Sequence, residues 1–442
     1  MKITQFTATG LQELEACLEM NEINRIGESE LRSLLKTINL SFIYEDINRL
    51  QSTLICECKD SYVQQSQRYV SLTEDAYDLP ELSKEDEIQA KSLLKEAFSL
   101  YGEMSEKKAG EFKGRPKIEH YLYGIPIEDA RYILPLMAKT NVCTAMAGDK
   151  LIDLFRLFND VQYGALFHEI AENLQKFVPK RLFMLICQQN NREIHSELVE
   201  SFYAEMFAKL SPTDNLVFFD QCGELDKKVG FGALTSTMKD APSAVIARWG
   251  EEADTKARGV VERVLGYGHD SIAEQARVRF AMMCSLVTYH QQERHRITSN
   301  YREDFVKVIL DENREVKIPQ TINNSKFKER FIELTRKFKD FRLDIAKSYG
   351  MDKAMCFLLN CDQIKLMIST NARADISMLA DRTCMNAQWE IRELAIKKVI
   401  ALRTLSPVLY EKALPSCVKG ICREGRMSCG QAGKVRELFA KL

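Results

Sequence analysis

The sequence predicts a helix-rich α+β fold in two tandem copies. Three observations carry this. Apolar residues recur at three- and four-residue spacing over 12–20, 84–98, 150–175, 194–209, 326–348 and 386–402, the pattern of helices with one buried face. Arginine and apolar residues alternate at Ala276-Arg277-Val278-Arg279-Phe280, the two-residue period of a strand. A weak internal repeat also runs through the chain.

The repeat is clearest at Tyr123-Gly124-Ile125-Pro126-Ile127-Glu128-Asp129-Ala130-Arg131, set against Tyr349-Gly350-Met351-Asp352-Lys353-Ala354-Met355. Each segment follows a charged, Lys-rich amphipathic stretch, 84–115 and 325–348. Farther on, Ala165-Leu166-Phe167-His168-Glu169-Ile170 matches Ala387-Gln388-Trp389-Glu390-Ile391 in the same order. A period of roughly 220 residues is too long for a solenoid and implies a duplicated domain. Ser211-Pro212-Thr213-Asp214-Asn215 breaks a helical pattern before the apolar run Leu216-Val217-Phe218-Phe219, so the copies are expected at 1–215 and 216–442. Neither a GxGxxG after a strand nor a Walker loop occurs, which removes support for the common nucleotide folds.

Composition narrows the function. The 442 residues exceed the ~150 typical of one domain about threefold. Sixty-two Lys+Arg against 63 Asp+Glu leave a net charge of −1, which does not suit duplex nucleic acid as a partner. No apolar stretch is long enough to span a membrane, and Met1-Lys2-Ile3-Thr4-Gln5 lacks the apolar segment of a secretory signal. Thirteen scattered cysteines and 16 methionines fit a reducing compartment, so a cytoplasmic location is expected.

Three of the six histidines, His269, His290 and His295, fall in one segment that ends Gln291-Gln292-Glu293-Arg294-His295-Arg296. Arginine forms planar, bidentate bonds to phosphate, and imidazole can stack on a flat ring, so the segment suits a large anionic ligand. A solvated basic helix end is the alternative. A metal site is not expected, because residues five apart on a helix diverge by more than a right angle.

These residues resemble the flavin-dependent thymidylate synthases, whose motif is Arg-His-Arg, seven residues, then Ser-x-Arg-Tyr. The second copy carries Arg294-His295-Arg296, with Gln291 before it and His269, Ser271 and Glu274 upstream. Asn371-Ala372-Arg373, Ser377, Arg382 and Ala387-Gln388-Trp389-Glu390-Ile391-Arg392 follow in family order. By resemblance, Ser271, Glu274, Arg294, His295, Arg296, Asn371, Arg373 and Ser377 would hold FAD. Arg382 would contact the uracil ring and stabilise its ionised form, and His269 would orient near the flavin or merely cap a turn.

Where Ser-x-Arg-Tyr should stand, the second copy has Asp304-Phe305-Val306-Lys307, and Met355 replaces the arginine of Ala-Arg-x-x-Leu-Pro. The first copy supplies both, as Ser66-Gln67-Arg68-Tyr69 and Arg131, while its flavin positions have become Cys56-Glu57-Cys58, Ala147, Asp149 and Phe158. The losses are complementary. Family members are homotetramers with sites between subunits, so the fused chain is expected to form a composite site. There Ser66, Gln67, Arg68, Tyr69 and Arg131 would bind the nucleotide together with Gln291, Arg294 and Arg382. A homodimer would then mimic the tetramer.

The resemblance implies methylation of C5 of a pyrimidine nucleotide, dUMP above all, with methylenetetrahydrofolate and NADPH as co-substrates. A methylase of another pyrimidine nucleotide and a catalytically silent nucleotide- or RNA-binding relative are the alternatives. Cys417, Cys422 and Cys429 lie in a Gly-rich basic tail without a fourth ligand or a CxxC knuckle, and read as structural or redox-sensitive rather than metal-binding.

Overall fold

The tertiary structure is a computed structural model and describes residues 1–110, 117–189, 195–219 and 224–441. Positions 111–115 of the first Lys-rich stretch, position 194, and 220–223 near the expected copy boundary lie outside the described residues. The chain forms two compact units. Unit 1 comprises Met1–Glu200, Ser285–Arg294 and Asp304–Gln363; unit 2 comprises Ser201–Cys284, His295–Glu303 and Ile364–Leu442.

Unit 1 contains an antiparallel sheet of β1 (Lys2–Thr9), β2 (Asn39–Asn48), β3 (Ser61–Gln64) and β4 (Lys139–Ala147), in the order β1-β2-β4-β3. In β2, Leu40, Phe42 and Tyr44 are buried and alternate with half-buried Ser41 and Ile43, as a sheet with one covered face requires. Leu40 pairs with Met146 and Tyr44 with Val142, so both inner strands send apolar side chains to the same core.

Two long helices from opposite ends of the sequence pack in this unit, Lys84–Met104 and Lys328–Tyr349. The first buries Leu94, Ala97, Phe98 and Tyr101, the second Phe331, Leu334, Phe338 and Phe341. Arg330–Glu103 at 2.7 Å and Lys337–Glu96 at 3.2 Å fringe the contact. Such exposed pairs contribute at most about 1 kcal/mol each, so apolar burial holds the helices together.

The repeated motifs meet one another. Leu136 N–H donates to Leu358 O at 2.7 Å and Met137 N–H to Cys356 O at 3.2 Å. Asn360 N–H returns a bond to Leu134 O and Cys361 N–H to Tyr132 O, each 2.9 Å. A short helix docks on each motif. Helix Arg49–Cys56 is capped by Asn48 and donates from Arg49 and Leu50 N–H to Ala138 and Leu136 O, each 2.9 Å. Helix Leu286–Gln292 is capped by Ser285 and donates from Leu286 and Val287 N–H to Asp362 and Asn360 O, at 2.9 and 3.2 Å.

Unit 2 carries β5 (Leu216–Phe219), β6 (Arg277–Ser285), β7 (Ser299–Arg302) and β8 (Gln363–Asn371), in the order β5-β6-β8-β7. Strand for strand, this repeats the order in unit 1. Helices Leu225–Thr237 and Ala253–Gly266 pack through Ala233, Leu234, Val260 and Val264. At Gly230 they approach so closely that an added Cβ would lie 2.4 Å from Ala257 O. The fold is thus helix-rich α+β with two small antiparallel sheets.

One expected helix is interrupted. The stretch 150–175 divides into helix Lys150–Phe158, a 3-10 turn Gly164–Phe167 and helix His168–Gln175. The Asp160 carboxylate accepts from Gln162 and Tyr163 N–H, at 2.9 and 3.0 Å, and turns the chain between them.

Candidate functional site

Unit 1 brings together the nucleotide-side residues expected of the first copy and Gln291 and Arg294 of the second. Ser66 opens a tight turn, its hydroxyl accepting from Arg68 N–H at 3.2 Å and its carbonyl from Tyr69 and Val70 N–H. Arg68 Nε donates to Glu128 Oε2 at 2.6 Å, and Arg131 Nε donates to Glu128 O at 3.1 Å. Glu128 thereby ties the turn to the Arg131 motif.

Several buried polar groups here lack a partner. Arg131 is 3% exposed, and its Nη2 meets no acceptor among the described residues. Gln67 accepts from Asn360 Nδ2 at 3.4 Å, but its own Nε2 is unpartnered. His290 shares a 2.9 Å bond with the Thr53 hydroxyl at Nδ1 and has nothing at Nε2. Tyr69 is exposed, and the buried Gln291 spends an amide hydrogen on Val287 O at 3.3 Å.

The cluster is electrostatically strained. Burial, then the neighbouring Arg68, presses Arg131 down to about 10. Arg49, which no motif singled out, is pressed to about 9 by burial, then by Arg131 and Arg294. The same surroundings, burial first, hold His290 well below the usual imidazole range. Arg49, without a carboxylate partner among the described residues, next to Arg131 with an open Nη2, suits an anion.

Unit 2 gathers most of the expected flavin-side residues. The short turn Asp270–Gln275 packs on helix Ala372–Arg382, and Arg373 pairs with Glu274. Asn371 caps that helix, its Oδ1 accepting from Ala374 N–H at 2.9 Å. Arg382 Nε donates to His295 Nε2 at 2.9 Å, which requires a neutral ring with its proton on Nδ1. Ser271, Arg296 and Ser377 are exposed. His269 is exposed too, and its side chain makes no capping bond to the turn it precedes. Exposed guanidiniums beside hydroxyls suit a diphosphate, so this donor set fits a flavin dinucleotide in its chemistry.

The degenerate positions have become structure. Asp304 caps helix Phe305–Leu310 through Val306 N–H at 3.0 Å and accepts from Tyr163 and Gln162. Met355 and Phe158 are core residues, and Asp149 lies 3.9 Å from Arg32. The Cys56 thiol is pushed up to about 12 by burial, so it is no nucleophile.

In the tail, Asn386 Nδ2 donates to Met427 O at 2.9 Å and draws the segment after Cys384 towards it. Cys384, Cys417, Cys422 and Cys429 are all free thiols. Among the described residues no three His, Cys, Asp or Glu side chains are grouped to hold a metal ion.

The family model for the thymidylate synthase complementing protein matches residues 4–180 and again 221–408. The chain belongs to that family, carries its domain twice, and is a thymidylate synthase-like enzyme. Among its relatives is the flavin-dependent thymidylate synthase of Thermococcus onnurineus, 32% identical over 211 residues, which are 45% of this chain and 84% of the relative. The flavin-dependent thymidylate synthase of Clostridium tetani is 28% identical over 204 residues, 42% of this chain and 82% of the relative. That of Pyrococcus abyssi is 29% identical over 225 residues, 45% and 90%. Each relative is thus about as long as one copy. No described helix is long and apolar enough to cross a membrane.

Proposed function

We propose that this chain methylates C5 of a pyrimidine nucleotide, dUMP foremost, with FAD as cofactor and methylenetetrahydrofolate and NADPH as co-substrates. The active site is composite, with contributions from both copies, which meet at a boundary near residue 216. The observation that carries the reading is the buried, partly unpartnered Arg131 guanidinium, with Arg68 of the first copy as its neighbour and Arg294 of the second copy in the same unit.

In this reading Ser66, Gln67, Arg68, Tyr69 and Arg131 bind the nucleotide with Gln291 and Arg294. The phosphate replaces part of the Arg68–Glu128 bond and satisfies Arg131 Nη2. Ser271, Glu274, Arg296, Asn371, Arg373 and Ser377, with Arg294 and His295, hold the flavin, and His269 orients beside its ring. The cofactor supplies the reducing electrons, so no protein thiol need attack the ring.

C5 becomes nucleophilic when negative charge on the uracil oxygens and N3 is stabilised. Arg382 is suited to that role, because it stays protonated and is steered by the neutral His295 ring. Two such chains pair as a dimer equivalent to four family domains, in the cytoplasm.

The test is product mass. Purified chain with FAD, NADPH and methylenetetrahydrofolate, given dUMP and UMP in parallel, should convert dUMP to a product heavier by one methyl group and carry a flavin absorption band. Conversion of UMP alone would change the acceptor. A colourless protein inert to both would overturn the reading.

A further inference from the structure

Arg49 is 5% exposed, and among the described residues its guanidinium meets neither carboxylate nor carbonyl. The contrast within unit 1 is Arg342, 1% exposed but bidentate to Asp362 at 2.5 and 3.1 Å. An unpaired buried charge is strongly destabilising, so its retention needs a cause.

Packing does not supply one. Arg49 is the first residue of its helix and donates its backbone N–H to Ala138. In the second copy the first residue of the corresponding helix, donating likewise to Asp362, is Leu286, 4% exposed. The fold therefore accepts an apolar side chain at this place.

The surroundings do supply one. Arg49 is fixed one turn before Thr53, whose hydroxyl bonds both Arg49 O and His290 Nδ1, at 2.8 and 2.9 Å. Arg131, with its open Nη2, and Arg294 are the charged neighbours that act on it most. Two buried guanidiniums, Arg49 with no partner among the described residues and Arg131 with an open Nη2, lie beside the exposed Arg294 and favour an anion among them. A phosphate monoester dianion has both the charge and the acceptor oxygens.

We propose that Arg49 is a phosphate-binding residue, which holds the dianionic phosphate of a nucleoside monophosphate together with Arg131 and Arg294. It lies outside the motifs that carry the family resemblance. The inference rests on unit 1 being the part that holds the nucleotide.

The test uses Arg49→Met, which keeps an unbranched apolar stem and removes the charge, and Arg49→Lys, which keeps a charge without the fork. Calorimetric titration of the full-length chain with dUMP, deoxyuridine and inorganic phosphate is paired with thermal unfolding of the unliganded proteins. Arg49→Met is expected to weaken dUMP about ten- to a hundredfold and to abolish phosphate binding, with deoxyuridine unchanged. Its unliganded unfolding midpoint should rise, because a buried unpaired charge is gone. Arg49→Lys should fall between.

Unchanged dUMP and phosphate affinities would overturn the proposal. So would equal losses of dUMP and deoxyuridine with a lowered midpoint, the mark of a structural residue. Wild-type protein that binds phosphate through Arg49 but ignores dUMP would uphold this inference and defeat the uridylate reading. Wild-type protein that binds none of the three would defeat both.

Discussion

His290 and Arg49 meet burial in opposite ways. Imidazole yields its proton, whereas a guanidinium keeps its own and needs a counter-ion. His290 is buried and neutral beside Arg49, Arg294 and Arg131, so its folded value lies below the 6.5 of an exposed ring. The unfolded chain then binds the extra proton. The stability His290 contributes is present above about pH 6.5 and is lost as pH falls below it, by up to about 1.4 kcal/mol per pH unit. His290→Gln should flatten that part of the stability curve in denaturant titrations between about pH 5 and 7. An identical slope in both proteins would refute the assignment. Ser66, Arg68, Arg131 and Arg294 of the same unit were legible in the sequence because such motifs recur at fixed spacings. Arg49 was not, because its signal is the absence of a partner inside a buried cluster, and that exists only in three dimensions.

At the scale of the element, positions that depart from the family motifs serve as supports. Asp304 caps helix Phe305–Leu310. Asp304→Ala should cost about 1 kcal/mol in thermal or chemical unfolding, while Asp304→Ser should retain most of it. Equal losses in the two variants would show that the cap is not the role. In unit 2, Gly230→Ala should cost about 1–3 kcal/mol, because the new methyl meets the Ala257 backbone and the two helices must part; an unchanged unfolding midpoint would show that they part freely. Most helices were legible from their apolar stripes. The break at 159–163 was not, since apolar spacing continues through it and only the Asp160 turn interrupts the backbone. Likewise β6 runs to Ser285, past the alternating segment, because residues 280–285 are buried on both faces and show no period of two.

At the scale of the whole molecule, sequence halves and spatial units are different divisions. Residues 285–294 and 304–363 of the second half belong to unit 1. The duplication could be read from the repeated motifs, whereas the exchange could not, because spacing along a chain does not say which copy a segment packs with. That exchange places Arg68, Arg131, Gln291 and Arg294 of a single chain in one unit. The proposed reading therefore expects Arg68 and Arg294 to serve one site from the same chain.

The most direct test prepares Arg68→Ala and Arg294→Ala separately, confirms that each loses dUMP methylation, and then assays them mixed under conditions that allow the dimer to exchange subunits. Each chain would carry one damaged site of its own, so the mixture should remain as inactive as either variant alone. Recovery of activity on mixing would mean that the two arginines serve one site from different chains, contrary to the arrangement in unit 1.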